Sequence, residues 1–258
     1  AGFFIITLFM FCLGLRRNTA NVLQTIIFIA ERIPMSDIPS LVGPEFGPTD
    51  TSGDAQQLVI LVHGLGADGF DLIGLAPYFA KVLPNARFVS PNAPEICDMA
   101  PPGMQSGYQW FSLQQREEAD MLAGARSAEP ILNKFIDDQL AKYNLTEDRL
   151  ALIGFSQGTM MSLFVGTRRE KEIAGIVGYS GRLIGKDELA AEITSRPPMV
   201  LVNGDQDELV PADQQPIAIE RLQAAGVDID GHIRPGLGHS IDAEGIQIAC
   251  DFLTKIFK

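Results

Sequence analysis

Short, largely apolar runs recur along the chain at Leu58–Val62, Ala86–Val89, Leu150–Ile153, Ala174–Val177 and Met199–Val202. Runs of this length predict strands buried on both faces of a parallel sheet. A further stretch, Val227–Ile233, alternates apolar and polar residues, as a strand nearer an edge would. Helical spacing fills the gaps. Leu72, Leu75, Ala76, Phe79, Val82 and Leu83 share one face, as do Met121, Ala125, Ala128, Leu132 and Phe135. Pro130 lies inside the second pattern and is expected to start a new turn or kink the helix. Ala249, Phe252, Leu253, Ile256 and Phe257 close the chain as an amphipathic helix. Strand–helix alternation predicts an open, mostly parallel α/β sheet with helices on both faces. No internal repeat or low-complexity linker interrupts it, so residues 35–258 read as one domain.

Residues 1–34 break the pattern. The apolar run Phe3–Leu15 is shorter than the roughly 20 residues a spanning helix needs. Arg16 and Arg17 follow the run instead of preceding it, and no small-residue cleavage site stands just after it. Met35-Ser36-Asp37 looks like a natural beginning. Residues 1–34 are therefore expected to be an upstream extension of the reading frame or a weak signal-like segment. The cytoplasm is the expected location unless that segment is a genuine signal.

Charge narrows the partners. With 20 Lys+Arg against 32 Asp+Glu the net charge is −12, which disfavours a phosphate backbone and anionic lipid head groups. No nucleic acid and no stable membrane association are expected, and a homodimer is left open. The 46% hydrophobic and 20% charged content is a folding composition. Cys12, Cys97 and Cys250 form no CxxC pair, so neither a disulfide scaffold nor a zinc site is supported.

The chemistry sits at strand ends. After Leu150–Ile153 comes Gly154-Phe155-Ser156-Gln157-Gly158, then a helix-like run through Phe164. This is G-x-S-x-G in a strand–turn–helix setting, where a tight turn lifts a nucleophilic serine above the sheet. The serine needs a base. His63 ends the first strand and reads as a loop brace, and His232 lies within a strand and reads as structural. His239 follows the last strand on a glycine-rich loop, where the order serine, acid, histidine places the base. The acid belongs between them, and Gly204-Asp205-Gln206-Asp207-Glu208 offers three carboxylates. Spacing does not separate Asp205 from Asp207, while Glu208 reads as a solvated helix-entry charge. The amide of Gln157 and one from His63-Gly64-Leu65-Gly66 can face an oxyanion.

Together with Gly204–Pro211, Gly238-His239, Pro91-Asn92-Ala93-Pro94 and Gln109-Trp110-Phe111, these motifs resemble the phospholipase/carboxylesterase family of α/β-hydrolases. That family includes acyl-protein thioesterases and small bacterial serine esterases, and the resemblance spans about residues 57–255. It implies Ser156 as nucleophile, Asp207 as acid, His239 as base, and the amides of Leu65 and Gln157 as oxyanion donors. Gly66-Ala67-Asp68-Gly69 departs from the Gly-Asp-Thr-Gly usual in acyl-protein thioesterases. With Gln109-Trp110-Phe111-Ser112 it tilts the likeness towards the bacterial esterases.

The gap between the strand ending near Tyr179 and Met199 is too short for a cap domain. Loops such as Glu95–Gly107 should cover the site, with Met104 and Trp110 as groove candidates, core packing being favoured for Trp110. The expected function is hydrolysis of small-molecule or acyl-lipid esters through an acyl-Ser156 intermediate, without metal or organic cofactor. The alternatives are a lysophospholipase, an acyl thioesterase, or a catalytically silent hydrolase-fold binding protein. The intact serine, acid and histidine positions count against the last.

Overall fold

The computed structural model describes residues 38–50, 53–99, 103 and 106–258. The chain divides after Ile38, and the fold described here is that of Pro39–Lys258. The expectations for residues 1–34 lie outside the described residues.

In chain order the strands are β1 (Glu45–Phe46), β2 (Gln57–Val62), β3 (Ala86–Val89), β4 (Glu95–Ile96), β5 (Tyr108–Gln109), β6 (Leu150–Phe155), β7 (Gly175–Tyr179), β8 (Met199–Gly204) and β9 (Ile229–Arg234). The helices are α1 (Gly69–Ile73), α2 (Ala76–Phe79), α3 (Glu118–Tyr143), α4 (Gln157–Gly166), α5 (Leu189–Glu192), α6 (Gln214–Ala224) and α7 (Ala243–Ile256). A seven-stranded sheet runs β1-β3-β2-β6-β7-β8-β9, and only β1 is antiparallel to its neighbour. β4 and β5 form a separate antiparallel hairpin.

The continuous apolar runs are explained by the two cores they divide. Leu58, Ile60 and Val62 pack with Leu132 and Ile136 of α3, Leu163 of α4 and Leu222 of α6. Val59 and Leu61, the alternate residues, pack with Leu72 of α1, Phe79 of α2 and Leu253 of α7. A strand covered on both faces has no polar side to display. Because β2, β6, β8 and β9 are mutually parallel through their neighbours, their C-terminal ends open on one edge, where ligands of such sheets bind.

The structure corrects several expectations. The single helix expected over residues 72–83 is two short helices. α1 stops at Gly74, and Pro77 takes the first turn of α2, where its missing N–H costs nothing. α3 runs on through Pro130 as one helix. Ala125 and Ala128 before the proline and Leu132 and Phe135 after it are all buried in the same core. That packing offsets the proline's cost of about 3 kcal/mol. The sequence reading missed α6 and the β4–β5 hairpin. Between β7 and β8 only the one-turn α5 intervenes, so no cap covers the sheet edge. Among the described residues, no helix is long and apolar enough to cross a membrane.

Candidate active site

β6 ends at Phe155, and α4 begins at Gln157. The residue between them, Ser156, has φ 53° and ψ −116°, a conformation that costs a non-glycine residue on the order of 1–3 kcal/mol. Its surroundings enforce that geometry. The Ser156 amide donates to the Tyr179 carbonyl at 2.9 Å, and the Thr159 hydroxyl donates to the same oxygen at 2.8 Å. A Cβ on Gly158 would lie 1.7 Å from the Val62 carbonyl oxygen, and one on Gly154 would lie 2.5 Å from the Gly158 carbonyl oxygen. The glycine spacing of the motif is therefore a steric requirement of β6 and α4 meeting beside β2.

The loops after β8 and β9 meet beside this turn. Asp207, whose side chain is 0% exposed, places Oδ2 2.8 Å from His239 Nδ1. Its other oxygen accepts the amides of Leu209 and Val210, both at 2.9 Å. A carboxylate only accepts, so Nδ1–H of His239 donates and Nε2 is left as the ring's basic nitrogen. The His239 ring tilts against Phe155, with centroids 4.9 Å apart. Asp205, the other candidate acid, is used differently. Its Oδ1 accepts the Gly236 amide at 2.7 Å and ties the two loops together. Glu208 is exposed and well ahead of α6, so it is not the helix-entry charge the sequence suggested.

The remaining histidines stay out of this cluster. His232 is partly exposed on β9, with Nε2 3.7 Å from Asp230, and does not line the cavity beside Ser156. His63 is 0% exposed. Its Nδ1–H donates to the Gly64 carbonyl at 2.7 Å, and its Nε2 accepts the Ala93 amide at 2.9 Å. Burial is the largest influence on its basicity and holds it below the ordinary histidine value, against the Gly64 carbonyl, Asp68 and Asp71.

Trp110, offered as a groove candidate with core packing favoured, packs as scaffold and does not line the cavity beside Ser156. It is 1% exposed, and its Nε1–H donates to the His63 carbonyl at 3.0 Å. Its amide donates to the Gln157 side-chain oxygen at 2.9 Å, while Gln157 Nε2 donates to the Phe111 carbonyl at 2.7 Å. Met104 lies outside the described residues. The hairpin is stitched to the early glycine loop by Gly66 N–H to Tyr108 O at 2.8 Å and Tyr108 N–H to Ala67 O at 2.7 Å. Gln157 is the first residue of α4, so its amide has no helical acceptor behind it. The Leu65 amide has no backbone acceptor among the described residues.

Ser156, His239, Leu65 and Gly64 open on one cavity of about 220 Å³, walled by Leu113, Met121, Met160, Phe155, Leu209 and Val210. An apolar pocket with a few convergent polar groups suits an acyl chain.

A model of the phospholipase/carboxylesterase family matches residues 49–257. The chain belongs to that family. It is 31% identical over 200 residues to Esterase YpfH of Escherichia coli K12, covering 77% of this chain and 82% of the relative. It is 27% identical over 211 residues to acyl-protein thioesterase 1 of Gibberella zeae, covering 76% and 89%. The crystal structure of esterase PE8 superposes with a TM-score of 0.79 at 39% identity, covering 84% of this chain and 100% of that one. Arabidopsis thaliana SOBER1, with a TM-score of 0.68 at 22% identity, adds support for the fold alone.

As a member of this family the chain is a carboxylic ester hydrolase with a cap-less α/β-hydrolase fold. Sequence reasoning missed three of its site features. The Tyr179 carbonyl anchors the elbow but carries no side-chain signal. The Gln157 amide group braces Trp110 and Phe111, although the motif marks that position only as variable. Arg116 and Arg182 line the cavity, and neither belongs to a motif.

Proposed function

We propose that this hydrolase cleaves carboxylic esters through an acyl intermediate on Ser156, with His239 as general base and Asp207 as the acid that orients it. The observation that carries this reading is the 2.8 Å contact between Asp207 and His239 at the cavity that Ser156 lines. His239 Nε2 takes the hydroxyl proton as Ser156 Oγ attacks the ester carbonyl. The amides of Leu65 and Gln157 hold the resulting oxyanion. Collapse expels the alcohol, which leaves with the proton carried by His239. A water molecule, deprotonated by the same nitrogen, then attacks the acyl-serine and releases the acid.

A fluorophosphonate probe tests the nucleophile directly. The folded wild type should be labelled, and Ser156→Ala, checked for an unchanged thermal melt, should not. Persistent labelling of the variant would move the nucleophile elsewhere. The second reading, hydrolysis of acyl thioesters by the same groups, is supported by the likeness to acyl-protein thioesterase 1 and by the apolar wall of the cavity. Matched oxygen and sulfur esters of one acyl chain decide the preference through their kcat/KM ratio.

A further inference from the structure

The cavity beside Ser156 carries two guanidinium groups in an otherwise largely apolar wall. Arg116 lies on the segment between β5 and α3, and Arg182 on the segment after β7. Their pairing differs. Arg182 donates to Glu118 Oε2 at 3.0 Å, and the other Glu118 oxygen accepts the Gly185 amide at 3.1 Å. That charge is neutralised and fixed in place, yet its Nε finds no acceptor among the described residues. Arg116 is exposed and has no carboxylate within ion-pair distance among the described residues. In a chain of net charge −12, a cation without an ion-pair partner among the described residues, lining the cavity beside Ser156, runs against the overall composition.

Asp71 is the carboxylate that also lines this cavity. It borders a neighbouring depression together with Phe155, His239 and Ser240, which places it on the histidine side. Neither arginine borders that depression, and nor do Leu113, Met121 and Met160. The cavity thus holds one carboxylate shared with the histidine-side depression and two guanidinium groups that are not, of which only Arg182 is paired among the described residues, with Glu118.

We infer that Arg116, backed by Arg182, forms a subsite for an anionic group of the substrate, a carboxylate or phosphate a few atoms from the scissile carbonyl. The inference rests on the reading of Ser156 as nucleophile. A guanidinium presents a planar fork of donors that matches either anion, and low-dielectric walls strengthen the contact. Asp71 repels the same anion where the cavity adjoins the histidine-side depression. A neutral alkyl chain has no use for either charge. The competing role for Arg116 is a solvated side chain whose stem covers apolar wall. That role is indifferent to substrate charge.

Two pairs of esters separate the possibilities and the two sources of the anion. p-Nitrophenyl hexanoate and mono-p-nitrophenyl adipate share an acyl length but differ in a terminal carboxylate. Monohexanoylglycerol and hexanoylglycerol 3-phosphate differ in a phosphate on the leaving group. The readout is the anionic-to-neutral ratio of kcat/KM in the full chain. Arg116→Gln should lower that ratio about 5–10-fold in at least one pair, mainly through KM, and Arg116→Lys should recover part of it. The difference between wild type and Arg116→Gln should shrink in about 0.5 M NaCl. An unchanged ratio in both pairs, or a wild type that turns over neither anionic ester, overturns the subsite. If Ser156→Ala still hydrolyses p-nitrophenyl hexanoate, the nucleophile assignment fails instead.

Discussion

His63 and His239 both follow strands of the same parallel sheet, yet their surroundings suit them to opposite tasks, a brace and the proposed base. His63 is sealed behind the early glycine loop, and main-chain groups occupy both its ring nitrogens. Its Nε2 accepts from an amide, so the ring must remain neutral to keep its partners. His239 keeps 16% of its side chain exposed at the cavity and spends only Nδ1, on Asp207. A base needs one nitrogen held and the other free. Residue type and strand-end position are shared; what separates a brace from a base is whether the second nitrogen already has a partner.

The largest expected effects break that contrast at the base. His239→Ala and Asp207→Asn should each lower kcat by at least about 10³-fold, and combining them with Ser156→Ala should add little, because in the proposed mechanism the three act as a unit. An asparagine at 207 can turn its amide N–H towards His239 and force the proton onto Nε2, the wrong tautomer for a base. Initial rates on a soluble ester decide this. An Asp207→Asn enzyme that keeps a tenth or more of wild-type kcat would remove Asp207 from the role. Next in size is the brace. His63→Ala should cost about 2–4 kcal/mol in urea unfolding, since it leaves a cavity and an unpaired buried Ala93 amide. Where folded, this variant should lose far less rate than His239→Ala. A comparable loss in kcat would mean that His63 exchanges protons after all.

Asp205 supplies a smaller, sharper contrast with Asp207. Asp205→Ala removes one exposed hydrogen bond to the Gly236 amide and should cost about 1 kcal/mol and less than tenfold in kcat. A loss in kcat as large as that of Asp207→Asn would reverse the assignment of the acid. The two carboxylates also show where legibility ended. The elbow could be read because sterics leaves no choice: any side chain at 158 meets the Val62 carbonyl. The acid could not be separated by spacing, because Asp205 and Asp207 stand two apart and differ in burial, in the local amides that Asp207 accepts and in what a distant loop brings to each. Gly236 reaches one and His239 the other. The family likeness favoured Asp207, and local spacing alone did not. Pro77 was a visible signal for the break between α1 and α2, overridden in the reading by an apolar period that continues across it. α6 carries a weaker signal. Its core contacts are Gln215, Ala218 and Leu222, so a polar residue holds one of its buried positions. The buried Gln215 amide group donates to Asn203 Oδ1 at 3.0 Å, a role no apolar pattern announces. Trp110 was visible as the only tryptophan, but its inward direction follows from partners at His63 and Gln157 that are remote in sequence.

The smallest expected effect concerns the protonation of His63. Burial keeps its imidazole less basic in the folded chain than in the unfolded one, with the Gly64 carbonyl, Asp68 and Asp71 opposing. As pH falls through about 6.5, the unfolded chain takes up this proton first. The stability contributed by a neutral His63 is therefore complete above that value and is lost as pH falls towards the folded value. One proton limits the slope to about 1.4 kcal/mol per pH unit. The carboxylate of Asp242 acts in a different window. Burial raises it, but the Gly245 amide and the Arg234 guanidinium outweigh burial and hold it below its usual value. Its contribution is present above about pH 4 and disappears only below that. Between about pH 7.5 and about pH 5.5 the contribution of His63 can thus be measured without that of Asp242. His63→Gln keeps an acceptor for the Ala93 amide and does not titrate. Its urea midpoint should consequently fall less across that interval than the wild-type midpoint does. Equal falls would show that His63 binds its proton as readily in the fold as outside it. The two nitrogens would then not be committed to the main chain, and the contrast with His239 would lose its physical basis.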